Sequence, residues 1–180
     1  MDKWGQLGPA EIPPKRNWLN EYCLRYAALN GFKYNPTKKH PFNPLAALRM
    51  SLKEVSGDDQ LRVIDSIFEG GWSHGADLGD LSTLISLLTK QSIDGESLGH
   101  KVLELDIKEL LINETSYAIE KGVFGVPTII IDDNLFWGND QMDHIELLLD
   151  GKDPLDRERL NDQERPRAID RKAFKEQDKE

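Results

Sequence analysis

The sequence predicts an α/β protein that is helical over most of its length and carries its strands late. Three observations predict this. Apolar residues recur at helical spacing through residues 16–121, a β-branched run begins only at Thr128, and charged residues dominate after residue 151. With 38% apolar residues in 180, the chain is long enough to bury a single core.

Pro9, Pro13 and Pro14 each lack the N–H that a helical ladder needs, so the first residues read as a loop and the first helix as starting near Asn17. Trp18, Leu19, Tyr22, Cys23, Tyr26 and Ala27 then form one apolar stripe, closed by Asn30-Gly31. Residues 44–55 place Leu45, Leu48 and Leu52 on one face; Leu61, Ile64, Ile67 and Phe68 do the same in the next segment. Leu81, Leu84, Ile85 and Leu88 mark a short helix capped by Asp80. Residues 103–121 form a longer one closed by Gly122.

In VFGVPTIIIDDNLFWG, Pro127 precedes a run of Thr and Ile, Asp133-Asn134 are turn formers, and residues 135–137 supply a returning strand, which together predict an antiparallel hairpin. Asn139 or Asp140 can cap a last helix bearing Met142, Ile145, Leu148 and Leu149, stopped by Gly151. From Lys152 onward positive and negative charges are equal in number and apolar residues sparse, so this stretch is expected to be a solvated tail or a lone charged helix. The organisation expected is therefore a loop over residues 1–15, a helical insertion over 16–121, a ββα segment over 122–151 and a charged tail over 152–180.

A net charge of -9 without a basic stripe argues against nucleic acid as a partner, since that affinity rests on neutralising phosphates. No stretch of about twenty uninterrupted apolar residues is present and the start has no signal-peptide pattern, so no membrane partner and a cytoplasmic location are expected. The single Cys23 makes no Cys-x-x-Cys pair, and His40, His74, His100 and His144 are scattered, so no metal site is expected.

GVFGVPTIIIDDNLFWGNDQMD (residues 122–143) closely resembles the signature of the bacterial 2-hydroxychromene-2-carboxylate isomerases and kappa-class glutathione transferases. GPAEIPPKRNW (8–18), HPFNPLAALR (40–49) and IFEGGWSHGADLGD (67–80) resemble further segments of that family in its order, so that the likeness covers most of residues 4–150. It implies a thioredoxin-like fold of the DsbA and kappa type with a large all-helical insertion, and glutathione as cofactor. It also implies a cis Val126-Pro127 bond, with the Val126 backbone pairing with the extended cysteinyl part of glutathione. Gly138, Asn139 and Asp140 hold the γ-glutamyl end: N–H groups at a helix start suit its carboxylate, and Asp140 its ammonium. Helix capping by Asn139 or Asp140 is the competing reading of those two residues. Lys15 is implied to reach the glycyl carboxylate, with Gln6 standing where the family has Asn. Trp72 is implied to lie near a substrate cleft, while as a residue it reads as packing; Asn43 reads as a helix cap.

The family's strand, serine-bearing helix and second strand, which precede the segment matching Trp4, have no counterpart here. No catalytic residue is therefore assigned, and the mostly helical content follows from the same absence. The resemblance implies that the strand Thr128–Ile131 then keeps an uncovered edge open to self-association. The activity the resemblance implies is a glutathione-dependent cis–trans isomerisation of an unsaturated aromatic keto acid from aromatic breakdown, with a homodimer as the assembly it suggests and the activity of this shortened chain in question. A kappa-type transferase or DsbA-like oxidoreductase, and a non-catalytic fragment or interaction module, are the alternatives.

Overall fold

A computed structural model describes Gly5 and residues 7–161. The chain divides into two compact units, 1–125 and 126–180.

The first unit is helical. After a 3-10 turn at Pro9–Glu11, helix α1 runs over Pro13–Asn30, earlier than the sequence suggests, because Pro13 and Pro14 occupy first-turn positions that need no N–H. Gly31, at φ 70°, ends it, and the Phe32 N–H donates back to the Ala27 carbonyl at 2.9 Å. The expected apolar stripe of α1 splits in two. Leu19 and Cys23 are half-buried and Ala27 buried, whereas Trp18, Tyr22 and Tyr26, one position earlier in each turn, are exposed. Those three rings stack on one another, with centroids 5.4 and 5.9 Å apart. Burial pushes the Tyr34 hydroxyl above its ordinary pKa, and the neighbouring Cys23 adds to the shift.

Residues 44–55 form two short helices, α2 (Leu45–Met50) and α3 (Lys53–Ser56), with Leu52 extended between them at ψ 140°. The break rotates the inward face: Ala47, Met50 and Val55 are buried, while Leu45 and Leu48 are exposed. Helix α4 (Gln60–Ser73) likewise buries Val63, Ile67, Gly70 and Gly71 and leaves Leu61 and Phe68 outside. The missed signal is the glycine pair. A Cβ on Gly71 would overlap the Leu78 Cδ1 methyl, so this face is apolar by close approach and not by side-chain size. The same bare backbone accepts a passing segment, with Asn35 N–H donating to Trp72 O at 2.8 Å and Thr37 N–H to Gly71 O at 2.9 Å.

Helix α5 (Leu81–Lys90) follows the sequence reading. Asp80 accepts from Thr83 N–H at 2.8 Å, and Leu84 and Leu88 are fully buried. Hydroxyl donation from Ser82 and Thr83, with that backbone bond, pulls the Asp80 carboxyl down to about 2. Helix α6 (Gly95–Lys101), which hydrophobic spacing did not single out, is capped by Asp94 and packs on α5. Helix α7 (Leu105–Glu120) buries Ile107 alone. Ala47, Met50, Val55, Val63, Ile67, Leu78, Leu84, Leu88, Ile93, Leu98, Val102 and Ile107 make one continuous core, formed by helices α2 to α7 and the residues between them. Such a cluster is what a single helical unit of this length needs.

The second unit contains the strands β1 (Thr128–Ile131) and β2 (Asn134–Trp137), paired antiparallel with Thr128 opposite Trp137 and Ile131 opposite Asn134. The register sets the turn at Asp132-Asp133, with Asp132 at φ 52°, one residue earlier than Asp133-Asn134. A 3-10 turn at Asn139–Gln141 leads into helix α8 (Met142–Leu149), where Ile145 is buried and Leu149 exposed. Beyond it lies a short charged helix, α9 (Arg157–Asn161), and Arg157 donates to the Asn134 side chain at 2.7 Å across the end of the hairpin. The remainder of the expected charged stretch lies outside the described residues. Among the described residues the sheet has two strands, and Ile130 on β1 is exposed.

Candidate functional site

The hairpin register continues one pair beyond its strands. Gly138 N–H donates to Pro127 O at 3.0 Å, so Pro127 lies opposite Gly138. Proline has no N–H to return, so this last pair holds by one bond. Val126-Pro127 is cis. Val126 is 86% exposed and makes no hydrogen bond among the described residues. A backbone donor and acceptor of an apolar, extended-prone residue therefore face outward beside the start of the 3-10 turn.

Gly138 has φ 107° and ψ 158°, a region open in practice to glycine. It turns the chain out of β2 so that Asn139 and Asp140 enter the 3-10 turn. Neither caps a helix: the caps are Gly138 for the turn and Gln141 for α8, and no side chain bonds to either end. The capping reading is thus corrected, because both residues lie inside the turn rather than before it. Among the described residues the hydrogen-bond contact of the Asp140 carboxylate is with Gln141 Nε2, at the long distance of 3.5 Å, which leaves it available to a cation. Val126, Pro127, Gly138, Asn139 and Asp140 are thus gathered within one end of one hairpin.

The remaining candidates belong elsewhere. Lys15 is in the first turn of α1, in the other unit, exposed and without a partner among the described residues. The sequence had placed it in a loop, but Pro13 and Pro14 start the helix before it. Gln6 lies outside the described residues. Trp72, near the end of α4, is half-buried beside the His40 ring at 5.7 Å, and His40 in turn meets Phe42 at 5.9 Å. Asn43 accepts from Leu45 N–H at 3.1 Å, so it serves the start of α2 from one residue further out than a normal cap. Asp77 binds Lys39 at 2.5 Å, and that bond holds its carboxyl below the ordinary value.

Two shallow cavities of about 250 and 370 Å³ share His74, Leu87 and Lys90 along α4 and α5. Neither is lined by a candidate residue, and both are open grooves over the helical core. Among the described residues no cluster of three or more His, Cys, Asp or Glu could hold a metal ion, and no helix is long and apolar enough to cross a membrane.

The model of the DSBA-like thioredoxin domain matches residues 1–150, and the chain belongs to that family. It is 29% identical over 149 residues to a protein of Sphingobium xenophagum named 2-hydroxychromene-2-carboxylate isomerase, covering 81% of this chain and 74% of that one. A protein of Pseudomonas putida with the same name is 33% identical over 85 residues, covering 46% of this chain and 41% of that one. Another from Pseudomonas sp. (strain C18) is 31% identical over 90 residues, covering 49% and 42%. Among solved structures, that of a 2-hydroxychromene-2-carboxylate isomerase superposes with a TM-score of 0.71 at 23% identity, over 82% of this chain and 71% of that one. The fold is the DsbA-like thioredoxin fold, mostly helical here with a small two-stranded sheet.

Proposed function

We propose that this chain is a glutathione-dependent cis–trans isomerase acting on a conjugated unsaturated keto acid; its relatives' name, 2-hydroxychromene-2-carboxylate isomerase, supports the isomerase part of this reading. The observation that carries the reading is the hairpin end at which Pro127 pairs with Gly138, with the exposed Val126 backbone unpaired on one side and the lightly engaged Asp140 carboxylate following on the other. Glutathione is an extended peptide with an ammonium and a carboxylate at its γ-glutamyl end, and these residues fit it. The Val126 N–H and carbonyl pair with its cysteinyl backbone as a strand would. N–H groups of the turn at Asn139–Gln141 receive the γ-glutamyl carboxylate, and the Asp140 carboxylate takes the ammonium.

When bound, glutathione supplies a thiol that can add reversibly to a conjugated double bond and so permit rotation about it. The chain's own part is to fix the peptide along the Val126 edge. Orientation of this kind converts a bimolecular encounter into an intramolecular one. The family membership and the name shared by the relatives support isomerisation of a small molecule.

Calorimetric titration of glutathione into the full chain tests the reading. Saturable binding that Asp140→Ala weakens by about tenfold or more is expected, as for loss of a hydrogen bond to a charged group. A folded wild type that does not take up glutathione overturns the proposal.

A further inference from the structure

Gly138 stands between the two parts of this site, and its geometry gives it a task different from theirs. Its N–H is already engaged, donating to Pro127 O at 3.0 Å. Its φ of 107° with ψ 158° is a conformation that side chains with an L-configured Cβ rarely take. A Cβ built on it would overlap Asp140 Oδ1, so the carboxylate occupies the space that a side chain at position 138 would need. The carboxylate is thus folded back over the residue that follows β2.

Resting on the glutathione reading above, we infer that Gly138 is the positioning residue that sets the site's preference for a γ-glutamyl peptide. It leaves the space that the Asp140 carboxylate occupies at the end of β2, and its own N–H, spent on Pro127 O, donates no hydrogen bond to the ligand. An L-residue at 138 removes the carboxylate from that place even though the charge remains in the chain. The Val126 contact depends on Gly138 only through its N–H to Pro127 O, which an alanine at this position keeps. What is lost is the discrimination between glutathione and cysteinylglycine, the same peptide without its γ-glutamyl group.

The test compares binding of glutathione and of cysteinylglycine by wild type, Gly138→Ala, Asp140→Ala and the double variant. Wild type is expected to prefer glutathione by about tenfold or more, the preference to vanish in Gly138→Ala with cysteinylglycine affinity retained, and the double variant to match Asp140→Ala. If Gly138→Ala fails to fold, Asp140→Glu asks the same question, since it keeps the charge and moves it by one methylene; loss of the preference is again expected. Amide exchange followed by NMR adds a readout that needs no ligand: the Gly138 N–H should be protected in the free protein and equally so with glutathione bound. A preference that survives Gly138→Ala or Asp140→Glu, or a Gly138 amide protected only when glutathione is present, overturns the inference while leaving the glutathione reading intact. A folded wild type that binds neither peptide overturns the reading and this role of Gly138 with it.

Discussion

The two units differ in how much apolar surface they bury and in how many polar groups they leave exposed. Residues 1–125 hold a continuous apolar core with Met50, Val63, Leu84, Leu88 and Val102 fully buried, whereas among the described residues of the second unit Ile145 is the one apolar side chain buried. Yet the second unit carries the exposed Val126 backbone, the positive-φ Gly138 and the free Asp140 carboxylate. A binding edge must leave backbone groups without partners, and a unit that does so has less to hold it together. The lesson matches a general pattern in which ligand-binding segments come from the less stable parts of a fold.

The largest expected effect separates the two units. Leu84→Ala, at a fully buried position of the helical core, should cost about 2–5 kcal/mol in urea unfolding, and Ile145→Ala a value near the lower end of that range because Ile145 keeps some exposure. Amide exchange sharpens the contrast: Ile145→Ala should open the β1–β2 amides and leave α4 to α6 protected. Equal loss of protection in both would mean that the two units unfold as one.

A smaller effect lies at the start of α5. The folded-state pKa of Asp80, about 2, is below its ordinary 3.8, so its capping contribution is complete above about pH 4 and is lost as the pH falls through about 2. Asp80→Asn should therefore melt below wild type at neutral pH, with the gap closing between about pH 4 and pH 2. A gap independent of pH would show that the charge of Asp80 is immaterial to the cap.

The smallest effect checks which face of α4 is inward. Phe68, which hydrophobic spacing assigns to the core, is 61% exposed, so Phe68→Ser should change stability by no more than about 0.5 kcal/mol. A loss of several kcal/mol would return Phe68 to the core and overturn the glycine-lined face described above.

Several features were legible in the chain because they depend on neighbours in sequence. The Asp80 cap and the Leu84–Leu88 face of α5, the Gly31 and Gly151 stops, the hairpin and its β-branched strand are local in this sense. The residues 122–143 that resemble the isomerase signature cluster for the same reason: five candidate residues sit on one hairpin end, so sequence proximity already implies spatial proximity.

Other features depend on what lies across from a residue. Trp18, Tyr22 and Tyr26 look identical in spacing to a buried stripe, and only packing shows that Leu19, Cys23 and Ala27 are the inward row. Gly70 and Gly71 carry no hydrophobic signal, although they bring Leu87 and Leu78 against α4. Asn139 and Asp140 have the composition of caps, and the positive φ of Gly138 decides that they lie within the turn instead. By itself, then, the sequence determined the order of elements, the family and the residues gathered at the hairpin end, since periodicity, turn chemistry and motif spacing act along the chain. The tertiary structure alone decided which faces are buried and where the Asp140 carboxylate lies. Burial, register and steric room are properties of pairs of residues that the chain brings together only on folding.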